Sequence, residues 1–281
     1  MKNRIADVLG TEKESTTRFL AFASGKGGVG KSVIVFNLAV MLAERSRVLI
    51  IDADVQMGNQ HLLGNIVPEF GLIDVCNSGI DVSKAIVSTE NGPDILASTG
   101  SSSDAVFPEL PKMARFLSTM RETLRAYDFV IFDTASGILP HTNLVVNTVD
   151  DVVLVTLPEL TAISNTYALF KILHGNNSSI NLSLLVNRED DVEEIQYIYQ
   201  KFSSMTRQFL QAVPTFCGGL GNSSDLVESV ARQKSVQEIS SNSLICKQLR
   251  RLTQALRGEV AAQSFQRKPL SFMPVGADIK E

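Results

Sequence analysis

Residues 25 to 32 read "GKGGVGKS", four glycines and two lysines in eight positions, set between the apolar run "FLAFAS" and a helical pattern from 31 to 45. The spacing is G-x-x-x-x-G-K-[ST], and a strand before it with a helix after it is the context in which that pattern has a mechanism. Gly25, Gly27, Gly28 and Gly30 let the backbone curl around Val29 so that successive N–H groups point at phosphate oxygens. The helix opening near Lys31 adds the positive end of its dipole. Lys31 is expected on the β and γ phosphates of a nucleotide, and the Ser32 hydroxyl on Mg²⁺. Lys26 lies outside this pattern and requires a second explanation.

Three carboxylates fall where apolar runs end. "VLIIDAD" places Asp52 at the end of one run and Asp54 two residues on, and "FVIFDTASG" places Asp133 after four apolar residues in the form of a Walker B strand. Gly137 in the same stretch is free to follow a γ phosphate as a switch. Isolated aspartates often do no more than cap turns, but three at strand ends beside a phosphate loop are placed to approach the phosphates from the strands' carboxyl ends.

The elements that must position these groups are short and regular. "FLAFAS" (19 to 24), "RVLIID" (47 to 52), "DFVIFD" (128 to 133), "DVVLVTL" (151 to 157) and "NLSLLVN" (181 to 187) are nearly continuous apolar runs, as expected of strands buried on both faces of a parallel sheet. Helical patterns separate or follow them at 31 to 45, 109 to 126, 161 to 174, 191 to 211, 224 to 233 and 242 to 257. The segment 88 to 111 reads as a long surface loop around one short strand, "DILAS". The predicted fold is α/β, a P-loop NTPase with a mostly parallel twisted sheet flanked by helices on both faces, its ligands gathered at the strands' carboxyl ends.

Composition narrows the class. The chain has 281 residues, 44% of them hydrophobic, and a formal charge of -4, which fits one large domain and argues against a surface dominated by nucleic-acid contacts. Cys76, Cys217 and Cys246 are far apart, without a CxxC pair, and read as reduced thiols. His61, His141 and His174 are scattered and read as structural or surface residues. The N-terminus lacks a signal-like apolar stretch, and no apolar run approaches the roughly 18 residues of a membrane span. A cytoplasmic protein is expected, at most peripheral at the inner face of the cell membrane.

"KGGVGKS", Lys26 to Ser32, resembles the signature K-G-G-x-G-K-[ST] of the MinD/ParA family of deviant P-loop ATPases. That resemblance implies an ATP- and Mg²⁺-dependent ATPase in which the first lysine, here Lys26, reaches across a nucleotide-sandwich homodimer to the partner's phosphates. It also implies that Asp54 positions the attacking water and that Asp52, with Ser32 and Asp133, holds the hydrated Mg²⁺. Asn187 and Arg188 in "LLVNRED" match the strand end where the family contacts adenine. The chain departs from close relatives at Gln56, usually glycine, and His61, usually aspartate, and "FCGGLGNSSD" replaces an Ile-Pro pair on the far side of the base pocket.

"PELTAISNTYALFKIL" (158 to 173) and "DLVESVARQKSV" (225 to 236) are similar to the flagellar FlhG/FleN branch of the family. The resemblance implies control of flagellar number or placement, with the flagellar GTPase FlhF, flagellar switch components or a transcription activator as partners. A DNA- or cargo-partitioning or division-site ATPase is the alternative, and the acidic chain speaks mildly against DNA. An iron-protein relative would need cluster-ligating cysteines, for which Cys76, Cys217 and Cys246 are poorly placed. The expected layout is an extension over 1–17, the ATPase domain over 18–257 and a tail over 258–281 suited to a partner or a lipid surface. The stretch "SLICKQLRRLTQALRG" (243 to 258) has leucines at helical spacing beside basic residues, and reads either as a membrane-surface helix or as the domain's last core helix.

Overall fold

The computed structural model describes residues 17–90, 92–100 and 108–258. The extension and the tail expected at the two ends lie almost wholly outside the described residues. In chain order the elements are β1 (Arg18–Ala23), α1 (Lys31–Ala43), β2 (Val48–Ala53), α2 (Gln60–Leu63), α3 (Leu72–Ser78), α4 (Val82–Ala85), β3 (Ile86–Ser88), β4 (Asp94–Leu96) and α5 (Leu110–Thr123). They continue as β5 (Phe129–Thr134), α6 (Pro140–Val146), β6 (Asp151–Thr156), α7 (Leu160–Asn176), β7 (Asn181–Asn187), α8 (Val192–Leu210), β8 (Thr215–Leu220), α9 (Ser224–Ala231), α10 (Val236–Ser240) and α11 (Leu244–Leu256). The strands form one sheet in the order β3-β4-β2-β5-β1-β6-β7-β8. Every described pairing is parallel except that of β3 with β4.

Side chains alternate across a strand, so a strand between two helix layers must be apolar at every position. In β1, Phe19, Ala21 and Ala23 enter one core, with Met113 and Leu117 of α5 and Phe170 of α7. Leu20 and Phe22 enter the other, with Ile34 and Leu38 of α1 and Leu249 of α11.

The strand order decides where the chemistry falls. From β1 the chain crosses by α1 to β2, leaving a gap that β5 fills later, and from β5 it passes to β6 on the far side of β1. The loop after β1 therefore opens at the point where the winding reverses, where open α/β sheets hold their ligands. In the same register Asp52 of β2 pairs side by side with Asp133 of β5.

Of the two readings of the last helix, the structure takes the core one. Ile245, Cys246, Leu249, Leu252 and Leu256 are buried in the core shared with α1, while Leu244, Lys247, Arg250 and Arg251 face solvent. Arg257 donates from Nη2 to the carbonyls of Met41 (3.3 Å) and Leu42 (2.9 Å), which ties the end of α11 to the last turn of α1. Leu249→Ala is expected to cost about 2–5 kcal/mol, the range for emptying a buried leucine site. An unchanged thermal midpoint would show that α11 does not carry this packing. Among the described residues no helix is long and apolar enough to cross a membrane.

Candidate active site

The phosphate loop is built by close approach. A Cβ at Gly25 would lie 2.3 Å from the carbonyl carbon of Asn165 in α7, so only glycine lets the loop leave β1 against that helix. At Gly30 the backbone is left-handed, with φ 89°, and a Cβ would meet Asn187 Nδ2 at 2.6 Å. Gly30 precedes α1 without any side-chain cap, and the first turn holds no acidic residue. The free N–H groups of that turn suit an external anion. Val29 is buried and pins the loop to the core.

Behind the loop lies a buried polar network. Lys31, 5% exposed, donates from Nζ to Asp133 Oδ1 at 2.6 Å. The other oxygen of Asp133 accepts from Gln60 Nε2 at 2.8 Å, and the same amide nitrogen donates to the Ser32 carbonyl at 3.1 Å. The Gln60 backbone N–H donates to Asp52 Oδ2 at 2.9 Å. Of the two inward carboxylates Asp133 holds the lysine, and burial, followed by the charge of Asp133, pushes the Asp52 carboxyl well above the ordinary carboxylate range.

This donor set fits Mg²⁺. Among the described residues no cluster of three or more His, Cys, Asp or Glu could cage a metal alone. Mg²⁺ rarely uses such cages; it takes one or two protein ligands with phosphates and waters. Here the Ser32 hydroxyl, Asp52 and Asp133 are the residues available to it, and the buried Gln60 Oε1 is an acceptor without a partner.

Asp54 is half-buried and turns outward. Its Oδ1 accepts from the Met57 N–H at 3.1 Å, shaping the turn in which Gln56 and Met57 are exposed. His61, the other departure in this segment, is half-buried, and desolvation lowers its pKa from the usual imidazole value. Gly137, with φ 80°, donates its N–H to the Ser24 carbonyl at 2.8 Å, which ties the segment after Asp133 to the phosphate loop.

Beside Gly30 opens a cavity of about 550 Å³. One side carries Ile34, Asn187 and Arg188, and the other Asn222, Leu226 and Val230. Asn187 is buried and donates from Nδ2 to the Val29 carbonyl at 2.7 Å, so it is anchored to the phosphate loop itself. The second wall, where the Ile-Pro pair is missing, is supplied by the turn after β8 and by α9. Asn222 N–H is held by Asp190 Oδ1 at 3.0 Å, and Ser223 caps α9. The helix of that wall matches the helical pattern at 224 to 233, whereas β8, "TFCGGL", shows no strand signal because it has two glycines and a bulge between Phe216 and Gly218 in place of an apolar run.

Lys26 stands apart from the buried network. It is 39% exposed and forms an ion pair with Glu159 at the start of α7. Apolar side chains are exposed on the same face: Met57 in the turn after Asp54, Ile138 after Gly137, and Leu160 next to Glu159. The sheet thus brings together Gly25 to Ser32, Asp52, Asp133, Asn187 and Arg188, with Asp54 and Lys26 at the rim. Gln60 went unremarked in the sequence, since a lone amide has no periodic or spacing signal.

The chain is similar to several known proteins. An AAA domain matches residues 17–186. The antiactivator FleN of Pseudomonas aeruginosa is 26% identical over 220 residues, covering 78% of this chain and 79% of FleN. The flagellum site-determining protein YlxH of Helicobacter pylori is 27% identical over 237 residues, covering 83% of this chain and 79% of YlxH. The fold matches the septum site-determining protein MinD of Pyrococcus horikoshii, solved in complex with Mg-ADP, with a TM-score of 0.72 at 22% identity over 85% of this chain and 96% of that one.

Proposed function

Since the chain belongs to the MinD/ParA family of AAA-domain ATPases and hydrolyses ATP with Mg²⁺, we propose that it is an ATP-dependent dimerisation switch in the numerical or spatial control of flagella. The observation that carries the switch is the position of Lys26. The phosphate loop already has a buried cation, Lys31, so a second lysine at the rim is not needed to hold a nucleotide within one copy. A triphosphate at the open mouth presents charge that a lysine from a facing copy can neutralise, in the manner of a cation supplied in trans. Met57, Ile138 and Leu160 give the same face the apolar area that association needs. The flagellar role rests on the likeness to FleN and YlxH, and the name antiactivator makes a transcription activator one candidate partner, beside FlhF and flagellar switch components.

Within one copy the chain's residues divide the work. The loop N–H groups and Lys31 bind the phosphates, Asn187 and Arg188 flank the base, and Ser32, Asp52 and Asp133 would hold Mg²⁺. Held there, Mg²⁺ would supply positive charge against the charge that develops on the phosphates. Asp54, at the rim, orients the attacking water.

Asp54→Ala tests this division, because it removes the water-positioning group and leaves the phosphate contacts in place. The variant is expected to bind ATP like the parent, turn over at least about a hundredfold more slowly and accumulate as an ATP-bound dimer in light scattering. Introduced at the chromosomal locus it should alter the number of flagella per cell. A variant that binds ATP yet stays monomeric contradicts the switch, and unaltered flagellation contradicts the flagellar role.

A further inference from the structure

We infer that Gln60 is a positioning residue for the metal of this site: its side-chain amide holds Asp133 in place against the phosphate loop, and its carbonyl oxygen accepts a hydrogen bond from a metal-bound water. Gln60 is fully buried and opens α2, the short helix that follows the Asp54 turn. Its contacts join three separate strand ends. The amide nitrogen reaches the Ser32 carbonyl after β1 and Asp133 Oδ2 on β5, and the backbone N–H reaches Asp52 Oδ2 on β2.

Asp133 divides its two oxygens between Lys31 and Gln60, and a nucleotide disturbs only one half of that arrangement. Once Lys31 turns to phosphate, the Gln60 amide is the contact left to keep the carboxylate aligned. The remaining atom points to the ligand. Gln60 Oε1 is buried and has no hydrogen-bond partner, and a stranded acceptor of this kind normally has an ion or water to satisfy it. Mg²⁺ retains several waters when bound, and each water has protons to donate to such an acceptor.

The surrounding chain is shaped to bring Gln60 there. A Cβ at Gly58 would fall 2.6 Å from Asp52 Oδ2 and 2.1 Å from Ser98 Oγ, so the turn passes directly over the Asp52 carboxylate before α2 begins. Gln233, between α9 and α10, donates from Nε2 to the Leu62 carbonyl at 2.8 Å and fixes the far end of α2.

The inference rests on the nucleotide site described above, and its test separates the two. Fluorescent N-methylanthraniloyl-ADP is titrated into the parent and Gln60→Met, first in EDTA and then at fixed nucleotide with rising MgCl₂. Methionine matches the length of glutamine and removes both its donor and its acceptor. Loss of an outer partner of a metal site costs about 10–100-fold in metal affinity. Gln60→Met is therefore expected to bind nucleotide in EDTA within about twofold of the parent and to need at least about tenfold more Mg²⁺ for half-saturation. Equal Mg²⁺ half-saturation overturns the role. So does an equal loss of affinity with and without Mg²⁺, which marks the amide as structural only. Should Gln60→Met not fold, Gln60→Asn, whose shorter amide cannot span the same groups, is read by the same two titrations and the same criteria. A parent that binds no nucleotide in either condition refutes the nucleotide site itself.

Discussion

Lys31→Ala is expected to abolish measurable ATP binding. Truncating one partner of a buried, hydrogen-bonded charge pair costs about 2–5 kcal/mol, or about 30-fold to several thousandfold in Kd. Two effects act on this variant. The phosphates lose their buried cation, and in the nucleotide-free protein Asp133 loses the ion pair at 2.6 Å while lying beside Asp52 in the same register. An uncompensated buried carboxylate is itself destabilising. The thermal midpoint without nucleotide should therefore fall along with the affinity. Calorimetric titration with ATP, with circular dichroism to confirm folding, checks both effects. Parent-like affinity in a folded variant would remove Lys31 from the site.

Lys26→Ala is expected to separate binding from assembly. The lysine lies outside the buried network, and its ion pair with Glu159 joins two half-exposed side chains, an arrangement worth at most about 1 kcal/mol. The variant should fold normally and bind ATP with little loss, because Lys31 and the loop N–H groups are intact, yet remain monomeric with ATP and Mg²⁺. Mixing it with Asp54→Ala gives the stricter test. In a mixed dimer the Asp54→Ala copy supplies an intact Lys26 to the nucleotide held by the Lys26→Ala copy, which has an intact Asp54. That one site has every group it needs, so in the mixture the Lys26→Ala copy should enter dimers and hydrolysis should partly return, whereas Lys26→Ala alone stays monomeric and Asp54→Ala alone dimerises with little turnover. A Lys26→Ala protein that dimerises and hydrolyses like the parent makes this lysine an ordinary loop residue.

Much of the site was legible in the chain because its parts are local. The phosphate loop depends on glycines, a lysine and a serine within eight consecutive residues, and the aspartates announce themselves by ending apolar runs. Five strands buried on both faces show as apolar runs for the same reason. β8 did not, since an edge strand with a bulge and two glycines needs no such run. The segment from 60 to 85 was silent as well: α2, α3 and α4 have four, seven and four residues, too few for a helical period to stand out.

Hydrophobic periodicity marked α11 as amphipathic, but which surface its leucines cover depends on α1 lying across the sheet to receive them. The local sequence thus determined a phosphate-binding loop on a parallel α/β sheet and the residue types that serve it. Tertiary structure decided which of those residues meet. Lys31 and Asp133 are 102 positions apart, and Gln60 and Asp133 are 73 apart. They come within hydrogen-bond distance because β5 fills the gap between β1 and β2, and strand pairing between distant segments is a contest of packing across the whole core that no local pattern records.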